Sequence, residues 1–128
     1  MVAFLSQEWL DLLRSSSAGI GVRPGASANL QFVVTDTPSG EVAYAVAIED
    51  GQVVAATLGR GDEADVTFTE SFPDAVAIAR GELDLHVGFM QGRVKFAGDM
   101  GALMRVLPVT QSDAYHSMLE TVAAATDT

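Results

Sequence analysis

Hydrophobic and polar positions change period several times along the chain, and each change marks an element. Near the start, Trp9, Leu12 and Leu13 recur at helical spacing. Ser6 is placed to cap that helix, with Leu5 and Leu10 as a hydrophobic staple around the cap. Ser15, Ser16 and Ser17 weaken it, Gly19 and Gly21 end it, and Pro24-Gly25 makes a turn. The period then drops to two. Leu30, Phe32 and Val34 alternate with Gln31, Val33 and Thr35. Past the turn signal Thr37-Pro38-Ser39-Gly40, the residues Val42, Tyr44, Val46 and Ile48 alternate with alanines. Asp50-Gly51 is a hairpin signal that joins this run to a third strand, residues 53–58, so the sheet begins antiparallel. Ala43, Ala45 and Ala47 leave the second face shallow or open to close packing.

The second half alternates between periods. Ala64, Val66 and Phe68 share one face of a fourth strand. A helix is predicted over residues 72–80, with Pro73 in its first turn, Phe72, Val76 and Ala79 on one face, and Gly81 as its stop. A short helix over 84–90 carries Leu85 and Phe89 and stops near Gly92. Residues 93–97 read as a fifth strand, with Val94 and Phe96 on one side and Arg93 and Lys95 facing solvent. Asp99 caps a helix striped by Met100, Leu103, Met104 and Leu107, which Pro108 is expected to end. Thr110 with Asp113 forms a capping-box-like start for a last helix whose apolar face is Tyr115, Met118, Leu119 and Val122. Thr126-Asp127-Thr128 reads as a polar tail. This order predicts one α+β domain over residues 1–128, a five-stranded, mainly antiparallel sheet with helices covering one face.

Composition narrows the function. The chain has 128 residues, 48% of them hydrophobic, which favours a packed core over disorder. It holds 7 Lys+Arg against 17 Asp+Glu, a net charge of −10, which argues against nucleic acid and anionic membrane surfaces as partners. No apolar run approaches a membrane span, so stable membrane insertion is not expected. Glu8 and Asp11 spoil any signal-peptide reading. With no cysteine, disulfides, thiolate metal sites and a Cys nucleophile are excluded, and a cytoplasmic location is expected. A composition rich in Ala, Val, Asp and Gly suggests a bacterial chain.

Catalytic and metal motifs are missing. His86 and His116 are the two histidines, and neither belongs to a His-Glu-x-x-His or follows a Gly-x-Ser-x-Gly pattern. Asp62, Glu63 and Asp65 read as a solvated acidic loop, since calcium needs more ordered oxygen ligands. Gly59-Arg60-Gly61 is too short for a dinucleotide fingerprint. No metal and no cofactor is expected. Bulky apolar residues concentrate instead between Phe68 and Leu119, as a filled core or an apolar cavity would require.

The ordered set from Ala64 to Pro108 resembles the sterol carrier protein family. It comprises Ala64-Asp65-Val66-Thr67-Phe68-Thr69, the helix ending at Gly81-Glu82-Leu83, and the block from Phe89 through Gly92-Arg93-Val94-Lys95-Phe96 to Gly98-Asp99-Met100. The resemblance implies a small apolar partner (a fatty acid, acyl-CoA, sterol or related lipid) held in a tunnel between sheet and helices, and no catalysis. Lipid-binding positions are then expected at Val66, Phe68 and Phe96 on the floor, with Phe72, Val76, Phe89, Met90, Met100, Leu103, Met104, Leu107 and Met118 around it. Methionines suit such a site because their flexible thioethers adapt to varied ligands. Asp99 is expected to act only as a helix cap. Two alternatives stand beside this reading. One is a small isomerase or hydrolase on the same scaffold, using His86, His116, Tyr44 or Tyr115. The other is an interaction module that buries its apolar face as a homodimer.

Overall fold

The computed structural model describes residues 1–61 and 63–127. Asp62 of the acidic loop and Thr128 of the tail lie outside the described residues. The main sheet contains β2 (Ala28–Thr37), β3 (Gly40–Glu49), β4 (Gln52–Leu58), β5 (Val66–Ser71) and β6 (Val94–Gly98), in the spatial order β4-β3-β2-β5-β6. Its first strands form as the alternation predicts. The β3–β4 hairpin closes through Asp50 and Gly51, both at positive φ, with Glu49 paired to Gln52. The sheet is mixed, because β2 and β5 run parallel at its centre while the other pairs are antiparallel.

The route from β4 to β5 explains that parallel pair. The chain crosses the outer face of the sheet instead of turning at its edge. Gly61 donates its N–H to Gln31 Oε1 at 2.7 Å, and Gln31 Nε2 donates to the Tyr44 carbonyl at 3.0 Å. A Cβ on Gly61 would lie 3.2 Å from that of Ala45. The alanines of β3 therefore give room for a crossing segment, and Gln31, on the outer face, is buried beneath it.

The opposite face carries the helices α1 (Gln7–Ser16), α2 (Phe72–Ala79), α3 (Leu85–Met90), α4 (Met100–Thr110) and α5 (Asp113–Ala124). Ser6 caps α1 by accepting the Trp9 N–H, and fully buried Leu10 faces the core. A 3₁₀ turn, Ser17–Ile20, follows, and Gly21 leaves it at φ 84°. Ser17 is buried there. Its hydroxyl donates to the Arg14 carbonyl at 2.7 Å and accepts the Val53 N–H at 3.1 Å, tying α1 to β4. The ends of the chain meet in a small parallel pair, β1 (Val2–Ala3) with β7 (Thr126–Asp127), so the start of the expected polar tail is structured and Thr126 is buried.

Two helix expectations need correction. Pro108 does not end α4, which continues through it to Thr110. The amide hydrogen that proline lacks would have served the carbonyl of Met104, one turn back on the exposed side, where water can replace it. Thr110 consequently stays in α4, and Ser112 caps α5 by accepting the Tyr115 N–H at 3.2 Å. The face of α4 also differs. Ala102, Val106 and Val109 are buried, whereas Met100 and Met104 are exposed. Only Arg105 is charged among these residues, so the pattern does not mark one apolar face; close packing over β2 and β5 selects the short side chains.

Candidate functional site

Strand register builds the floor of the site. Tyr44, Phe32, Phe68 and Phe96 lie opposite one another across β3, β2, β5 and β6, in one row on the inner face. Phe32 stacks on Tyr44 at 4.9 Å and on Phe68 at 5.1 Å between ring centroids. Trp9 meets Tyr44 edge-on at 5.4 Å, and Phe89 meets Phe96 at 5.9 Å. Each such pair adds about 0.5–1.5 kcal/mol beyond its area burial, so the floor is stiff.

Between this floor and the helices lies a cavity of about 70 Å³. Leu30, Phe32, Tyr44, Val46, Ile48, Val53 and Glu70 line it from the sheet. Phe4, Trp9, Leu13, Ala75, Ile78, Ala79, Leu85, Thr110, Tyr115, Met118 and Leu119 close it from the helical side. A pocket of about 20 Å³ adjoins it under α3 and α4, where Phe68, Phe89, Leu103 and Leu107 meet His86 and Val106. A surface cleft of about 340 Å³ adjoins it on another side, where Gly81, Asp84, His116 and Glu120 lie. Leu85 and Thr110 border all three spaces.

The wall is apolar with a few polar exceptions. Glu70 follows Val66 and Phe68 on the inner face of β5 and is 4% exposed, with no hydrogen-bond partner for Oε2. Burial, with the Asp74 carboxylate as a second cause, pushes its carboxyl up to about 7. Burial likewise pushes the Tyr115 phenol up to about 12, helped by the charges of Glu70 and Asp84. The Tyr44 phenol is also raised, again mainly by burial and then by Glu70. Trp9 Nε1–H is buried without an acceptor. Asp74 is engaged by Arg93 at 2.7 Å.

Of the twelve positions expected to bind lipid, Met118 lines the central cavity, and Phe68, Phe89, Leu103 and Leu107 line the adjoining small pocket. Val66 is buried in the core, and Phe72 and Phe96 pack against it. Val76 is half-buried on α2 and borders neither space. Met90, Met100 and Met104 are turned outward, with Met90 73% exposed. His86 and His116 are exposed, while Tyr44 and Tyr115 line the cavity. Asp99 caps α4, its carboxylate accepting the Gly101 N–H at 2.8 Å. Arg93 holds Asp74, and Lys95 is exposed. Glu70 and Trp9 are the polar wall residues that composition did not single out. Extending the alternation of Val66 and Phe68 by one more step places Glu70 inside. Among the described residues, no group of three His, Cys, Asp or Glu could hold a metal ion. No helix among them is long and apolar enough to cross a membrane.

Comparison with known proteins agrees with this architecture. A conserved protein of Thermus thermophilus, described as possibly a sterol carrier protein, superposes with a TM-score of 0.68 at 20% identity, covering 93% of this chain and 86% of that one. The palmitated sterol-carrier-like protein SCP2L2 of Aedes aegypti superposes with a TM-score of 0.60 at 22% identity, over 79% of this chain and 92% of that one. At such identities these likenesses establish the fold. Sterol carrier protein 2 of Gallus gallus is 30% identical over 76 residues, 59% of this chain, and the match spans only 14% of that longer protein. Residues 8–111 match the SCP-2 sterol transfer family along most of the chain, through the whole sheet and the first four helices. The chain belongs to the SCP-2 sterol transfer family.

Proposed function

We propose that this protein binds an apolar, lipid-like molecule between its sheet and its helices and passes it on to an acceptor. The observation that carries this reading is the internal cavity, walled almost entirely by aliphatic and aromatic side chains, in a chain of a lipid-transfer family. Its volume of about 70 Å³ is well below the roughly 300 Å³ of an ordinary small-molecule pocket. A chain-like ligand would therefore enter by displacing part of the helical roof. Leu85 and Thr110, which border the cavity, the small pocket and the surface cleft, are the gate in this reading. Once the three spaces join, each methylene taken from water contributes about 0.8 kcal/mol, and affinity grows with chain length without specific contacts.

Native mass spectrometry of freshly purified protein, followed by solvent extraction and lipid identification, tests this. A bound species of lipid mass, or saturable binding of fluorescent acyl probes to stripped protein, supports it. A clean mass together with failure of the whole probe panel would sink it.

A further inference from the structure

The cavity wall carries one orphaned acceptor and one orphaned donor. Glu70 Oε2 accepts no hydrogen bond and Trp9 Nε1–H donates none, although the two residues are only 4% and 5% exposed. Both line the same cavity, and Tyr44, in edge contact with Trp9, stands near enough to Glu70 to feel its charge. Buried polar groups in folded proteins are ordinarily paired, and one left unpaired carries its full desolvation cost. An acceptor and a donor in an otherwise greasy wall match a ligand group that both donates and accepts. A hydroxyl does both. A carboxylate offers Glu70 no proton and adds a second negative charge.

We propose that Glu70 and Trp9 recognise the hydroxyl end of an uncharged amphiphile, and that the Glu70 carboxylate disfavours ligands ending in a carboxylate. The proposal rests on the reading of the cavity as a lipid site. The hydroxyl donates to Glu70 Oε2 and accepts from Trp9 Nε1–H, while the hydrocarbon extends past Leu85 and Leu119. Among the described residues, the groups coupled to Glu70 are an acid and two phenols, which do not offset the clash with a ligand carboxylate. Asp74 faces it from α2, and Tyr44 and Tyr115 face it from β3 and α5. Its strand neighbours on β2 and β6 are Val34 and Val94. Arg93 is committed to Asp74, Asp84 bears on Tyr115, and the Thr110 hydroxyl donates to the Leu107 carbonyl.

The test titrates the full chain with 1-decanol, decanoate and methyl decanoate, which share one hydrocarbon length. Trp9, the single tryptophan, reports binding by fluorescence, and calorimetry checks it. At about pH 8, where Glu70 is ionised, the alcohol should bind about tenfold tighter than the carboxylate. At about pH 5.5 Glu70 is neutral while an ordinary carboxylate stays ionised, so the preference should shrink to about threefold or less. Glu70→Gln should show that smaller ratio at both pH values. The wild-type pH comparison stands even if the variant folds poorly. A ratio that ignores both pH and the substitution would overturn the proposal, with the cavity then holding only solvent at Glu70, and would leave the lipid site intact. Failure of all three compounds to bind would remove the lipid site and this proposal together.

Discussion

Burying Glu70 should leave a signature in the pH dependence of stability. The substitution Glu70→Gln keeps the shape of the protonated side chain and removes its charge. In the fold the carboxyl is held at about 7, against 4.5 for an ordinary one, first by burial and then by Asp74. At about 1.4 kcal/mol per pH unit that interval is worth about 3 kcal/mol. The sign follows from proton counts. Below about pH 4.5 folded and unfolded chains both hold the proton, and the stabilisation is fully present. Between about 4.5 and 7 the folded chain holds more protons than the unfolded one, so stability falls as pH rises. Above about 7 both are ionised and the loss is complete. Glu70→Gln lacks this loss. Its stability relative to wild type should therefore grow by about 3 kcal/mol from about pH 4.5 to 8. Urea unfolding followed by Trp9 fluorescence measures it, and subtracting the two proteins removes the other carboxylates. With a slope of about 1.5–2 kcal/mol per molar urea, the gap between midpoints should widen by about 1.5–2 M. A gap that stays constant over this range would show that Glu70 ionises like an exposed carboxyl, and would refute its burial in a low-dielectric wall.

Other substitutions test the packing. Gly98→Ala should cost about 3 kcal/mol or more, because φ is +126° and the new Cβ would sit 2.4 Å from the Asp65 carbonyl oxygen. Gly92→Ala, at φ +76° with open space around it, should cost only about 1–2 kcal/mol, and urea midpoints compare the pair. Ser17→Ala should cost about 1–3 kcal/mol by leaving the buried Val53 N–H without its acceptor, and should speed hydrogen exchange at that amide. On α4, Val106→Ala should cost about 2 kcal/mol while Met104→Gln stays within about 0.5, the reverse of what side-chain size alone would suggest. Equal costs there would mean that α4 buries its methionine face after all.

What the sequence made legible was local or periodic. The Ser6 cap, the Asp50-Gly51 hairpin, the strand alternation and the short helix before Gly92 depend on neighbours a few residues away, and each formed where the pattern placed it. The ordered block from Ala64 to Pro108 added the family. The parallel β2–β5 pair was hidden because it depends on a crossing over the outer face, which the β3 alanines permit but do not dictate.

The site was harder to read for a related reason. A cavity lies where two layers fail to meet, so it belongs to the spacing of the layers more than to any one residue. On α4 the short Ala102, Val106 and Val109 let the helix sit close over β2 and β5, and the large Met100 and Met104 turn outward. Over β3, Trp9, Tyr44 and Tyr115 border the gap. Met90, Met100 and Met104 therefore lie outside the cavity, and rigid aromatic rings frame it beside Met118. That arrangement also explains how a carboxyl can be tolerated in the wall. Rigid rings cannot collapse onto Glu70, so the gap persists and Oε2 remains without a partner. A core filled with methionine would have closed over it. The same rigidity that leaves Glu70 unpaired keeps open the space in which a ligand hydroxyl would pair with it.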